Sequence, residues 1–175
     1  GISIAGSQSY ENLFLVNGVV VTENLRGQPF DLFIEDAIEE TTTTVSGVSA
    51  EYGRFAGGVI NAITRSGSNT FSGSFRTSLT NDAWTDETPF EESQGTERPD
   101  RINDTYEATF GGPIVEDALW FFAAGRLEST TDANPFPQTG LPVTRTVDNT
   151  RGEIKFTATA WRSQAFQGSF FNNAT

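Results

Sequence analysis

The side chains that do most bond-making chemistry are missing here; carboxylates, arginines and glycines remain. None of the 175 residues is histidine or cysteine, which removes Ser-His-Asp and Cys-His arrangements and most zinc sites. Adjacent acids at Glu39/Glu40 and Glu91/Glu92 could in principle split their pKa values for acid–base work. Neighbouring strand or loop residues point apart, however, so both pairs read as solvated acids. Asn81, Asp82, Asp86, Glu87, Glu91 and Glu92 crowd one segment. Their spacing fits no calcium-loop template, and solvation again accounts for them. Gly53, Gly57 and Gly58 lack the lysine and following helix of a phosphate cradle. They read as glycines of a turn or of a close backbone approach. The chemistry left is recognition through charge, and no cofactor is expected.

Charge limits the partners. Asp and Glu number 23 against 11 Lys and Arg, a net charge of -12, which argues against nucleic acid, whose phosphates need a basic stripe. Lys155 is the only lysine. Phenylalanine contributes 15 residues while overall hydrophobicity is only 36%. Many Phe among Gly, Thr, Ser and Asn suit a sheet with one apolar and one wet face. Transmembrane barrels have that composition, and so do fibrous β-proteins and surface sandwiches. No stretch is long and apolar enough for a membrane-spanning helix. A chain without methionine that begins Gly1-Ile2-Ser3 is expected to be a piece of something longer.

Elements follow from periodicity. Asn12 to Val16 reads as a strand ending in the turn signal Asn17-Gly18, with Val19 to Thr22 returning as a hairpin. Phe33 to Glu40 has helical spacing and predicts one short helix. Thr41 to Val45 is β-branched and strand-like, and Val59 to Thr64 is a further strand. From about residue 70 the pattern becomes amphipathic strands at 70–81, 104–112, 118–129, 150–160 and 165–173. Alternation puts Phe71, Phe75, Tyr106, Phe110, Phe121, Phe156 and Phe166 on one phase, and Arg76, Glu107, Arg126, Glu128, Glu153 and Lys155 on the other. Loops 82–103 and 130–149 read as long and polar, turns 113–117 and 161–164 as short. Long connections at one end and short ones at the other are the asymmetry of outer-membrane barrels.

One string carries more than periodicity. Glu51-Tyr-Gly-Arg-Phe-Ala-Gly-Gly-Val-Ile-Asn-Ala-Ile-Thr-Arg-Ser-Gly-Ser-Asn-Thr-Phe-Ser-Gly-Ser-Phe75 resembles the end of the plug and the first barrel strand of TonB-dependent outer-membrane receptors of the Oar-like branch. Phe110-Gly-Gly-Pro-Ile-Val-Glu-Asp-Ala-Leu-Trp-Phe-Phe122 is similar to the family's turn between its second and third strands. The resemblance implies a mainly β fold. A partial α+β plug over residues 1–67 would be followed, over 68–175, by the first five or so antiparallel strands of a transmembrane barrel of about 22 strands. It implies the Gram-negative outer membrane, no enzyme activity, and import of a scarce solute by plug gating. The solute could be a small molecule, peptide or glycan. TonB would act through an N-terminal segment outside this chain. An alternative is a non-transporting scaffold or adhesin that contacts other outer-membrane or surface proteins. A secreted carbohydrate-active β-domain is a third reading; it would bury the Phe face against a second sheet.

The resemblance also assigns residues. Gln8 and Tyr10, before the Asn17-Gly18 hairpin, and Asn24 and Arg26, after it, become candidates for solute contact. Arg54 and Arg65 are expected to dock the plug onto inward-facing Glu107, Glu128 and Glu153. Gly53, Gly57 and Gly58 are the plug motif glycines. Phe71, Phe75, Phe110, Phe121, Phe156 and Phe166 are expected to face lipid. Asn17 stands where the family usually has Asp, and the usual Arg-Gly-Pro after the acidic segment is replaced by Thr41 to Ser46. Both departures weaken the case for a siderophore as the solute.

Overall fold

The computed structural model describes all residues except 1, 2, 5, 24–26, 31, 33, 50, 51, 54, 87–99, 136–141 and 161–163, and gives no side chain at 132–135, 142–144 or 160. Two sheets account for the strands. The smaller has the order β2-β1-β4-β3, built from β1 (Leu13–Val16), β2 (Val19–Val20), β3 (Ile38–Thr44) and β4 (Val59–Thr64). The larger is an antiparallel meander, β5 (Ser72–Asn81), β6 (Ile102–Val115), β7 (Leu119–Pro135), β8 (Pro142–Ala160) and β9 (Gln164–Ala174), each strand beside its sequence neighbours.

The Asn17-Gly18 hairpin forms as its residues require. Val16 pairs with Val19, leaving a two-residue loop whose members take φ of 51° and 79°. Positive φ at both positions matches the right-handed twist of the flanking strands, and Asn-Gly supplies it at least cost. The returning strand is shorter than expected, ending at Val20. β1 then runs parallel to β4, with Leu13 opposite Val59 and Val16 opposite Ala62. Leu13, Leu15 and Val59 form a small core under Val48, Tyr52 and Phe55.

The helix expected at 33–40 does not form. Glu35–Ala37 is a single 3-10 turn, and the chain enters β3 at Ile38. The β-branched run Thr41–Thr44 pairs in register with Ala62 to Val59 of β4, and this ladder draws Ile38–Glu40 into the strand. Helical spacing over so few residues cannot outweigh it, because short helices carry the full nucleation cost. Among the described residues the structure is mainly β, with no α-helix.

The strands of the large sheet are longer than their patterns suggested. β7 and β8 pair from Leu119/Ala158 as far as Pro135/Pro142, so much of the expected loop 130–149 is ladder. Both exceed the ~9–11 residues needed to cross a hydrocarbon core. The turn between β6 and β7 is Glu116–Ala118, with Asp117 at φ 61°, a conformation that Asp tolerates better than most residues.

Alternation sorts the large sheet's side chains. Phe71, Phe75, Leu79, Phe110, Phe166 and Phe170 are exposed on one face, Phe75 at 73%. Phe71 and Phe110 stack with ring centroids 5.9 Å apart, and Phe121 tilts against Phe110 at 5.7 Å. On the other face Glu107, Arg151, Glu153 and Lys155 are buried. Ile34 and Ala37, just before β3, pack against Phe122 and Ala124 of β7.

Candidate functional site: the charged interface between the sheets

Strand register sets the charges in rows. Arg76 lies opposite Glu107, Glu107 opposite Arg126, and Arg126 opposite Arg151. Directly opposed like charges destabilise a sheet; Glu128 relieves the Arg126/Arg151 pair by reaching both, at 3.1 and 3.2 Å. Glu107 is 1% exposed and divides its oxygens between neighbours. Arg126 Nη1 donates to Oε1 at 3.0 Å, and Arg76 Nε donates to Oε2 at 2.9 Å. Burying a carboxylate is costly unless its oxygens are partnered in this way.

The row reaches the small sheet through Arg76. Its Nη2 donates to Glu35 at 2.8 Å and its Nε lies 3.3 Å from Asp36. Arg126 stands 3.6 Å from Glu35. The hydrogen bond from Arg76 holds the Glu35 carboxyl below the usual glutamate range; the charges of Arg76 and Arg126 add to it and burial opposes it. A carboxylate with a depressed folded-state pKa stabilises above its unfolded value, and that contribution is lost as pH falls through the folded value. Asp36 on the same turn, Arg76 on β5, Glu107 on β6 and Arg126 on β7 are the charged groups facing it. Glu35→Gln is therefore expected to lower the urea midpoint of the full-length protein at pH 6. The difference from the unsubstituted protein should shrink as pH drops below about 4. A difference independent of pH would show that the carboxylate charge is not what matters.

A second contact is buried. Thr64, at the end of β4, is 0% exposed. Its hydroxyl donates to Glu153 Oε1 at 2.6 Å, and its carbonyl accepts from Lys155 Nζ at 2.7 Å. Asn17 completes the set from the hairpin turn: Thr64 N–H donates to Oδ1 and Asn17 Nδ2 donates to Thr64 Oγ1, both at 2.9 Å.

A third contact is made by the linker between the sheets. Asn69 Nδ2 donates to Asp117 at 2.6 Å, while its Oδ1 accepts from the Asp117 N–H at 3.0 Å and from Trp120 Nε1 at 2.7 Å.

These contacts redistribute the expected roles. Glu107 and Glu153 do face the small sheet's side, but the arginines belong to the large sheet and the acids Glu35 and Asp36 to the small one, the reverse of the expected polarity. Glu128 pairs within the large sheet. Arg65 is exposed; its backbone N–H donates to Ala37 O, and its side chain makes no ion pair among the described residues. Arg54, Asn24 and Arg26 lie outside the described residues. Gln8 and Tyr10 are exposed, Tyr10 on a cleft of about 330 Å³ shared with Asn12, Thr22, Glu23, Gly27 and Gly53. Gly57 and Gly58 are close-approach glycines, since an added methyl would meet Asn12 and Ser7 at the first and Ile4 at the second; Gly53 has open space around it.

Residues 63–171 match the family described as outer membrane beta barrel domain. The chain belongs to this family. It is an outer-membrane protein, and its antiparallel meander is barrel wall. The TonB-dependent transporter Oar of Myxococcus xanthus is 36% identical over 136 residues, a match covering 70% of this chain and 12% of that protein. Two solved structures share the fold. The outer membrane transporter YddB from Escherichia coli superposes with a TM-score of 0.68 at 23% identity, covering 91% of this chain and 24% of that one. The siderophore receptor PirA from Acinetobacter baumannii gives 0.70 at 19% identity, covering 100% and 26%. The outer membrane beta barrel wall described here is thus a small part of the length of each relative.

Proposed function

We propose that this chain is the part of a TonB-dependent outer-membrane receptor where plug meets wall, residues 1–67 being plug and 68–175 wall. The observation that carries the reading is the contrast between the two faces of the large sheet. One bears buried, mutually neutralised charges against a small glycine-punctuated sheet; the other presents aromatic rings and, among the described residues, no ion pair. Such a sheet separates hydrocarbon from a polar, plugged lumen. On this reading Phe71, Phe75, Phe110, Phe121, Phe156 and Phe166 touch lipid, Glu107 and Glu153 dock the plug, and Gln8 and Tyr10 contact solute. The receptor imports a scarce solute as TonB remodels the plug. The likeness to the transporter Oar supports transport over a scaffold role.

Two measurements on the full-length protein test this. Tryptophan replacing Phe75, Phe110 or Phe166 in proteoliposomes is expected to be quenched by brominated acyl chains, and tryptophan at Ser74 or Gln167 is not. Equal quenching on both faces, or none, would end the wall assignment. Purified TonB periplasmic domain should be retained by the detergent-solubilised receptor. Failure of retention, with quenching intact, would leave the scaffold reading in its place.

A further inference from the structure

We propose that Asn17 is a positioning residue that keeps the plug neutral at its buried contact with the wall. Its amide aims the one Thr64 hydroxyl proton at Glu153, so the negative charge at this contact lies on the wall alone, and an acid at position 17 is accepted only if the wall gives up its own. The inference rests on the plug-and-wall reading above. Its basis is the direction of the hydrogen bonds around Thr64.

Groups that can only donate fix that direction. A backbone N–H has no lone pair to offer, so the Asn17 atom 2.9 Å from Thr64 N is the amide oxygen. Nδ2 then faces the hydroxyl, at 2.9 Å. Lys155 Nζ, also a donor only, approaches the same hydroxyl at 3.5 Å. With two donors aimed at it, the hydroxyl sends its own proton to Glu153 Oε1 at 2.6 Å, in preference to Asn17 Oδ1 at 3.3 Å. The order runs from Asn17 in the hairpin turn, through Thr64 on β4, to Glu153 on β8. An aspartate at 17 would instead leave the hydroxyl between two carboxylates with one proton to give.

The charges point the same way. Glu153 and Lys155 are buried, one of each sign, two residues apart on one face of β8. Buried charges are tolerated when they compensate each other. Glu153 Oε2 has no partner among the described residues, so this acid has little in reserve against a second carboxylate. On the plug side, Glu39 of β3 is a further charge acting on Lys155, but it is exposed and water screens it. What the plug places in the buried contact is an amide, a hydroxyl and a carbonyl. When the plug is remodelled, both buried charges stay side by side on β8, and no ion has to be drawn out of a dry site.

The test exchanges the charges. Aspartate has the shape of asparagine and tolerates the φ of 51° at this turn, so Asn17→Asp changes charge and little else. The chain has no cysteine, so spin labels can be placed at Val20 on the hairpin and Gln167 on β9, both exposed, in the full-length protein in detergent micelles. The unsubstituted protein is expected to give one narrow distance distribution. Asn17→Asp should broaden it, and so should Glu153→Gln, which leaves Lys155 uncompensated. The two substitutions together should restore the narrow distribution, because the glutamine amide can donate to the hydroxyl and the hydroxyl to the aspartate. If Asn17→Asp alone does not insert, insertion becomes the readout, with recovery expected in the double variant. Asn17→Asp as narrow as the unsubstituted protein, or a double variant no better than Asn17→Asp alone, would overturn the inference. A broad distribution in the unsubstituted protein, or loss of its lipid-quenching contrast between faces, would instead indict the plug-and-wall reading.

Discussion

Lys155→Met is expected to destabilise the full-length protein by about 1–3 kcal/mol, the cost of leaving a buried acceptor without its donor and a buried carboxylate without a neighbouring positive charge. Methionine keeps most of the apolar stem and removes the ammonium, so cavity formation contributes little. Three groups then lose their partner or their compensation. The Thr64 carbonyl loses a donor at 2.7 Å. The Glu153 carboxylate, already with Oε2 unpartnered among the described residues, loses a positive charge two residues away on its strand face. Thr64's hydroxyl is left facing an uncompensated acid. Urea unfolding in detergent micelles, followed by the loss of heat-modifiable mobility in electrophoresis, gives the midpoint. The informative comparison is Lys155→Met combined with Glu153→Leu. If the cost comes from the stranded carboxylate, the double variant recovers much of the loss. If single and double variants are equally unstable, Lys155 acts by packing alone and its charge is incidental.

The strands were legible because their signal is local. Period-two alternation in Tyr106–Phe110 and Ile154–Phe156 needs no partner to be read, and the exposed and buried phases of β6 and β8 fall where that alternation puts them. Strand ends were less legible. Thr144 to Asn149 is polar on both phases apart from Val147, and it is the length of β7, paired as far as Pro135 with Pro142, that makes it strand. The helix at 33–40 misled for the complementary reason: the deciding interaction is the ladder between Thr41–Thr44 and β4, some twenty positions on.

The interface was half legible. Glu107 and Glu153 stood out as acids on the inward phase. Their partners did not, because a partner is fixed by register across strands, and register is set by connections whose geometry the residues do not announce. Arg76 sits on the same phase as Glu107, but only the pairing of β5 with β6 makes them opposite. Lys155 carried one usable sign, being the only lysine and sharing a strand face with Glu153 two residues away. Thr64 carried none: its role depends on Asn17, forty-seven positions earlier, and on Glu153, eighty-nine later.

Gly67→Ala is expected to cost about 1–3 kcal/mol from overpacking, together with part of the hydrogen bonding of Asn69. A methyl group on Gly67 would run into the backbone carbonyl of Phe121, and would lie 2.8 Å from Trp120 Cβ and 2.9 Å from the Phe121 nitrogen. These are mostly main-chain atoms of a paired strand and cannot swing aside. The linker has to lift off β7 instead, and lifting it pulls Asn69 away from Asp117 and Trp120. The argument fixes how two variants combine. Asn69→Ala alone removes those bonds with the linker in place. If Gly67→Ala acts by lifting the linker, adding Asn69→Ala to it changes the unfolding midpoint little, because the bonds are already gone. Full additivity of the two would show that the linker stays seated and that β7 yields to the methyl group, and the close approach at Gly67 would then not be what holds the linker to the wall.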